Sequence, residues 1–504
     1  IVRKGCVIIA KFLAGLPPTR AMRRGHFFVY IFHHLTGLPM SNNPQNPISP
    51  FDVPTDLGMA NLPFDEAFIN QFGELLGAMT EPLRHDQTDM LAGTPYLVGI
   101  MSGTSLDGMD AVLCQFHEID ADNDEPIELL ATASLPFDDE LRSALLALST
   151  PNGVSEWLAQ RMTTDKSQPD FASELDVFGW ASVRYAELAS ELVGELLRHA
   201  HVLPEEVAAI GCHGQTVRHR PEWHFSLQLL DANLLAERTG IAVVSDFRRR
   251  DMAVGGQGAP LVPAFHQAMF GQFVQDAAPW VVLNLGGVAN ITVLAKPATD
   301  EPADTDAAVV GFDTGPANLL LDGWCQRHTG KAYDDNGAWA KSGTVIEPLL
   351  TALLQHEFFA KPAPKSTGRE AFNLAWLDDV LAQVAAANSD LTLAPADVQA
   401  TLTELTAITV AQAILAELGQ IDDSAHGTLL VCGGGVYNGF LLKRLAVYLP
   451  NFSIKSTDRV GLAAKWVEAA AFAWLARQTL TNQTGNLPSV TGASKAVVLG
   501  QVCF

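Results

Sequence analysis

Asp313 lies in the string GFDTGPAN, directly after an apolar run and before a Pro-Ala-Asn turn. A carboxylate at a strand end can point into a cleft and serve as a general base. Asp is equally a favoured helix N-cap, and the residues alone leave both readings open. A second string, GIMSGTSLDGMDAVL, interrupts an apolar run with Gly103, Thr104, Ser105, Leu106, Asp107 and Gly108. Glycine lets backbone approach a phosphate that a Cβ would block. Thr104 and Ser105 can donate to phosphate oxygens, and Asp107 can hold Mg²⁺ through water. A plain hairpin turn uses similar residues, so one such string decides little. The device recurs, however. NLGGVAN offers Gly286 and Gly287, and CGGGVYN offers Gly433, Gly434 and Gly435, each at the end of an apolar run. Tight packing accounts poorly for all three together.

Other polar strings accompany these. SDFRRRDMAVGGQGAP carries Asp246, Arg248, Arg249, Arg250 and Asp251, which suit a polar ligand or a solvated charge run. GCHGQTVRH offers His213, Gln215 and Thr216. A histidine after a buried strand is more often a hydrogen-bonded structural residue than a catalyst. PKSTGRE, residues 364–370, is a polar loop with Lys365, Ser366, Thr367 and Arg369, suited to an acidic substrate group.

The elements that must position these residues alternate between strand and helix. YLVGIMSG and MDAVLCQF read as strands around a turn, as do the two halves of APWVVLNLGGVANITVLA. Residues 175–200 are apolar at helical spacing, DVQATLTELTAITVAQAILAEL reads as a long amphipathic helix, and VEAAAFAWLARQTL as an Ala-rich one. The alternation predicts an α/β protein. The repeated strand–glycine-turn–strand unit, at 96–116 and 279–296, predicts duplicated lobes with a cleft between them. The expected division is 1–90 as an extension, 91–270 as the first lobe and 271–504 as the second.

Composition sets limits on partners. With 504 residues the chain exceeds one ordinary core. A net charge of -24 argues against a nucleic-acid surface, which needs a basic stripe. It leaves room for an anionic ligand held by backbone N–H groups and Mg²⁺. The 6 cysteines form no C-x-x-C pair, which suits a reducing cytoplasm. Residues 1–50 contain no Asp or Glu and several Arg and Lys, but fit a targeting segment poorly. They are expected to be a gene-start artefact or an upstream extension, with Met40 as one candidate start. No run beyond them reaches the roughly 20 apolar residues that span a bilayer. No membrane partner is expected, and a homodimer stays open.

Together the strings GIMSGTSLDGMDAVL, GCHGQTVRH, DFRRRDMAVGGQGAPLVPAFH, NLGGVANIT, GFDTGPANLLLDGW, PKSTGREAFN, CGGGVYN and GNLPSVTGAS closely resemble the anhydro-N-acetylmuramic acid kinase family, from about Tyr96 onward. The resemblance implies a two-lobed actin/hexokinase-like ATPase fold with an inter-lobe cleft, and ATP and Mg²⁺ as cofactors. It implies an amino-sugar substrate whose 1,6-anhydro bond is opened by water and whose O6 is phosphorylated, in peptidoglycan recycling. By analogy the turn from Gly103 to Gly108 and the turn at Gly286 and Gly287 hold the ATP phosphates, with Asp107 toward the metal. Gly433, Gly434 and Gly435 hold the adenosine side, and Asp313 is the base. His213, Gln215, Thr216, Asp246, Arg248 and Asp251 line the sugar pocket. Two positions depart from the family pattern. Leu230 stands where Gly is common, and Lys465 stands where an acidic residue is common, at a cost in helix N-terminal charge. A kinase of another small sugar or acid on the same fold is the alternative, and a chaperone-like ATPase a more distant one.

Overall fold

A computed structural model describes residues 94–103, 106–117, 126–150, 152–161, 171, 173–274, 278–294, 309–418 and 426–504. All of these lie in the unit Arg84–Phe504. The expected extension 1–90, together with Thr104 and Ser105, falls outside the described residues.

Among the described residues thirteen strands follow one another: β1 (Tyr96–Met101), β2 (Gly108–Phe116), β3 (Ile127–Pro136), β4 (Val207–Cys212), β5 (Gln215–Arg220), β6 (Phe225–Leu229), β7 (Val243–Ser245), β8 (Trp280–Leu285), β9 (Val288–Leu294), β10 (Val309–Pro316), β11 (Gly427–Cys432), β12 (Phe452–Ser456) and β13 (Gln501–Cys503). They form two main sheets, ordered β13-β7-β4-β1-β2-β3 and β10-β9-β8-β11-β12, and the separate hairpin β5-β6. The two sheets share one plan. β1 pairs antiparallel with β2 and parallel with β4, and β8 pairs antiparallel with β9 and parallel with β11. This is the two-lobed α/β architecture the repeated glycine turns predict.

The sheets are joined by a shared core. The helices Val262–Phe270 and Val467–Leu480 contribute to one apolar cluster with Leu97 and Val244 of the first sheet and Val282 and Leu430 of the second. The helix Val467–Leu480 is Ala-rich because it lies directly on the first sheet. A Cβ at Gly99 would come 1.9 Å from the Ala469 carbonyl oxygen, and one at Gly211 2.0 Å from that of Phe472. Small residues on both partners are what allow that approach.

Three expectations need correction. The long helix Pro395–Leu418 is not amphipathic, since every residue from Val398 to Ala407 is buried. It runs between two clusters, with Leu402 and Leu405 in one and Val410 and Ile414 in the other. Its threonines are tolerated because they donate back along the chain, Thr403 to Gln399 O at 2.9 Å and Thr406 to Pro316 O at 3.0 Å. Among the described residues it alone is long and apolar enough to cross a membrane, yet 78% of that stretch is packed inside the protein. Secondly, the division at residue 270 does not hold at the C-terminus. β13 pairs with β7, so the last strand returns to the first lobe. Thirdly, the charged string after β7 is not a wholly solvated run: it forms the helix Phe247–Ala253, with Phe247, Asp251 and Met252 buried and Arg249 and Arg250 exposed.

Candidate active site

Asp313 lies on β10, opposite Asn290, where the β9–β10 register shifts between Asp313 and Gly315. Such a bulge turns the strand and redirects the side chains beside it. Asp313 does not cap the next helix: Ala317 holds that position before Asn318–Thr329, without a side-chain bond. The carboxylate is instead held by the 364–370 loop. Thr367 N–H donates to Asp313 Oδ2 at 2.9 Å, and Asp313 N–H donates to the Lys365 carbonyl at 3.0 Å. Burial pushes the Asp313 carboxyl up to about 7, against the pull of the Thr367 amide and Arg248. A carboxyl with that affinity can both take and release a proton near neutral pH.

Arg248 approaches from the first lobe. Its Nε and Nη2 donate to His213 Nε2 at 3.1 and 2.8 Å, and its Nη1 donates to the Gly258 carbonyl at 2.8 Å. Burial lowers Arg248 to about 10, while the charges of Asp313 and Glu468 hold it up. His213 is buried, with its ring tilted 42° against that of Phe472 at a centroid distance of 4.7 Å. Burial, then Arg248, push it well below its ordinary value, so it is neutral and its proton sits on Nδ1. It acts as the acceptor that orients the arginine. Gln215 Nε2 donates to the Gly103 carbonyl at 3.4 Å, which ties β5 to the first glycine turn, and its Oε1 is buried without a hydrogen-bond partner.

The remaining first-lobe candidates have structural occupations. Thr216 Oγ1 accepts from Gln228 Nε2 at 3.0 Å within the β5–β6 hairpin. Asp246 pairs with Arg249, whose Nε donates to it at 2.7 Å. Asp251 is fully buried and accepts from Asn486 Nδ2, Thr491 Oγ1 and Gly258 N–H at 2.7, 2.7 and 2.8 Å. Three protein donors hold its oxygens, so it fixes the glycine loop that carries the Gly258 carbonyl to Arg248.

The glycine turns differ in what they require. A Cβ on Gly433 would come 2.4 Å from Asn284 Oδ1, and one on Gly435 2.5 Å from Leu285 Cβ. These two glycines answer to packing against the end of β8. A Cβ on Gly434 would meet only Asn318 Nδ2, at 3.8 Å, so its face is open to a ligand. Gly286 is similarly open, with its nearest contact at 3.4 Å. The Gly286 and Gly287 carbonyls accept from the amides of Asn318, Ala317 and Leu319, which fixes this turn to the helix behind it. In the first turn, Gly108 answers to β3, since a Cβ there would lie 2.4 Å from the Leu135 carbonyl oxygen. Leu106 adopts a left-handed conformation with φ 57°, and its side chain is buried in the first-lobe core.

Sequence reasoning passed over two carboxylates and a loop contact. Glu468, in the first turn of the helix Val467–Leu480, is pushed up by burial, with the Asn284 side-chain amide and Arg248 opposing. It shares Arg248 with Asp313. Asp322, in the helix Asn318–Thr329, is pushed up to about 7 by burial and by the nearby charges of Asp107 and Asp334. Asp334 engages the Trp339 and Ala340 amides at 2.8 Å each. A charged residue inside an Ala-rich apolar helix was the one available signal for Glu468. Of the two departures, Leu230 packs against the first-lobe core. Lys465 compensates for its reversed charge: its Nζ donates to Ser134 Oγ at 2.6 Å and lies 3.4 Å from Asp110 Oδ1.

Residues 95–504 match the family model described as anhydro-N-acetylmuramic acid kinase. A protein of that name from Psychrobacter cryohalolentis is 58% identical over 417 residues, covering 81% of this chain and 94% of the relative. Its namesake in Acinetobacter baylyi is 45% identical over 416 residues, covering 81% and 99%. Among solved structures, the ROK hexokinase from Thermus thermophilus aligns at 15% identity and a TM-score of 0.27, over 76% of this chain and 99% of that one.

Proposed function

Because this chain belongs to the anhydro-N-acetylmuramic acid kinase family, we propose that its cleft uses Asp313 to activate water for opening 1,6-anhydro-N-acetylmuramic acid as the sugar is phosphorylated. The protein is an ATP-dependent phosphotransferase with an alcohol-group acceptor, acting in peptidoglycan recycling. The observation that carries the residue assignment is the carboxyl of Asp313, held by the Thr367 amide and raised to about 7 by burial within reach of the charge of Arg248.

The chemistry balances around that carboxylate. Asp313 accepts a proton from a water whose oxygen bonds to C1. The C1–O6 bond breaks, and O6 takes the γ-phosphoryl group of ATP, leaving ADP and N-acetylmuramic acid 6-phosphate. Arg248, held by His213 and Gly258, keeps Asp313 ionisable in a site that burial would otherwise keep neutral. The charge of Glu468 acts on the same arginine. Gln215 Oε1 offers an unused acceptor for a sugar hydroxyl or amide.

For the nucleotide, the open faces at Gly286 and Gly434 fit backbone approach to phosphate and adenosine. The turn from Gly103 to Gly108 would supply backbone to the phosphates, and the Thr104 and Ser105 hydroxyls are expected to donate to phosphate oxygens. No group of three or more His, Cys, Asp or Glu able to cage a metal occurs among the described residues. Mg²⁺ does not need one, since it takes one or two carboxylates and keeps its waters. Asp107 and Asp322 are such a pair, and the rise of Asp322 reflects in part their mutual repulsion. The cation would neutralise charge on the phosphates. A cytoplasmic location suits a chain whose buried thiols at Cys114, Cys212, Cys325 and Cys432 are unpaired.

The deciding experiment incubates the protein with ATP, Mg²⁺ and 1,6-anhydro-N-acetylmuramic acid in ¹⁸O-water. The label is expected at C1 of the product and absent from the phosphate. Label in the phosphate would remove Asp313 from the mechanism as drawn. An unconverted sugar, with turnover of another small sugar or acid, would favour the alternative kinase.

A further inference from the structure

A fully buried tyrosine hydroxyl sits beneath the ends of β1 and β4. Tyr185 lies on the helix Glu174–Ala200, whose buried face is otherwise apolar apart from Ser182. Phenylalanine would fill the same core. A hydroxyl buried there costs free energy unless it is partnered, so its presence calls for a reason. Its partner is Ser102, with the two oxygens 3.0 Å apart. Ser102 is itself buried and directly precedes Gly103 of the first glycine turn. Ser102 Oγ donates to the Gly214 carbonyl at 3.2 Å. A serine hydroxyl has one proton, so Tyr185 is the donor to Ser102. Burial pushes the Tyr185 phenol well above its ordinary value, and it keeps that proton.

These bonds continue the pairing of two strands past their ends. β1 and β4 run parallel with Ile100 opposite Cys212, and His213 N–H donates to the Ile100 carbonyl at 3.0 Å. Beyond that bond side chains join the two segments, Ser102 to Gly214 and Gln215 to Gly103. Gly214 has φ 72°, and a Cβ there would lie 2.8 Å from the Leu229 carbonyl oxygen, so the acceptor is set by a conformation that suits glycine. We propose that Tyr185 is a positioning residue for the transfer: through Ser102 it fixes the separation of the Gly103 and Gly214 turns, and with it the alignment of the sugar acceptor and the γ-phosphoryl group. The proposal rests on the kinase reading, with phosphate at the Gly103 turn and sugar at His213 and Gln215. Reacting groups carried by neighbouring turns depend on that spacing, and a misplacement of about 1 Å costs about 10²-fold in rate.

The test measures kcat and KM for ATP and for 1,6-anhydro-N-acetylmuramic acid with the full chain. Tyr185→Phe keeps the ring and its contact with Phe137, at a centroid distance of 5.9 Å. It should lower kcat about 10- to 100-fold. Both KM values should stay within about threefold, because alignment and not ground-state binding is lost. Ser102→Ala should do the same. The double variant should be no worse than the poorer single one, since both act through one link. A lower melting temperature with kcat unchanged in both single variants would make the hydroxyl merely structural and overturn the proposal, as would a loss carried wholly by either KM. A second readout needs no turnover. The ATP analogue AMPPNP with Mg²⁺ should slow amide hydrogen exchange in residues 207–216 of wild type. Tyr185→Phe should lose that protection and keep the protection around Gly103. Protection of 207–216 that is absent in wild type, or equal in the two proteins, overturns the proposal. The two readings fail separately. Unchanged kcat in both variants of an active enzyme overturns the link and leaves the kinase standing. Loss of the linked protection in a protein that phosphorylates only some other small sugar supports the link and overturns the muramic-sugar reading.

Discussion

At the scale of single residues, Asp313 is worth more to catalysis than to stability. In the folded chain it keeps its proton to about pH 7, whereas its ordinary value is 3.8. Between those values the native state binds a proton that the unfolded chain releases. Stability therefore falls as pH rises through that window, and the deficit is complete above about 7. Asp313→Asn cannot ionise. It should unfold at a higher temperature than wild type at pH 8, with the advantage vanishing near pH 3. The same substitution should lower kcat by at least about 10²-fold, the lower end of what a general base contributes, and leave ATP binding intact. For wild type, kcat/KM should have an acid limb near pH 7, falling about tenfold per unit below it, because the base must be ionised in the free enzyme. A stopped assay across pH 5–9 and thermal melts of both proteins check these outcomes, and a variant with near-normal kcat contradicts the assignment. Gly434 is a second residue with a definite expectation. Gly434→Val should raise the KM for ATP in a folded protein, because only Asn318 Nδ2 lies near the new Cβ, at 3.8 Å. Gly435→Val should instead damage folding, since its Cβ would strike Leu285 at 2.5 Å.

At the scale of elements, the site depends on how closely helices and loops approach the sheets. Asp251 anchors the glycine loop through Asn486 and Thr491, far along the chain. Thr491→Val removes one donor from a fully buried carboxylate, which should cost about 1–3 kcal/mol or more in urea unfolding. It should also weaken sugar turnover, since Arg248 is held by the Gly258 carbonyl of that same loop. Unchanged stability would show that another donor replaces the hydroxyl. Elements also explain what sequence could disclose. The strands around NLGG and GTSLDG were legible because apolar runs broken by glycine have few other uses. Asp313 was legible as a strand-end carboxylate, but its role against the N-cap reading was not, because the cap is decided by a bulge three residues away. The His213–Arg248 pair was hidden by its 35-residue separation. Thr367 acts through its backbone amide, which no side chain advertises. The helix Pro395–Leu418 was misread because threonine counts as polar in a pattern, whereas here its hydroxyls are satisfied inside the helix and its methyls pack.

At the scale of the whole molecule, every site residue lies at Gly103 or beyond, and the family match begins at residue 95. A chain shortened to start at Leu91 should keep wild-type kcat and KM, measured on a monodisperse sample, and loss of turnover in such a sample would show that the preceding residues take part. The shared core bears on motion as well. The helices Val262–Phe270 and Val467–Leu480 share one apolar cluster with residues of both sheets, so the two sheets meet through a packed spine. The return of β13 to β7 also sets a timetable. A ribosome makes β7 at residues 243–245 and its edge partner only at 501–503. At about 5–20 residues per second, the first sheet waits some tens of seconds with that edge uncovered. Each newborn chain thus passes through an interval in which half of the molecule is made and cannot yet be finished. Premature release at any point in that interval would hand the cell a sticky open edge and no enzyme.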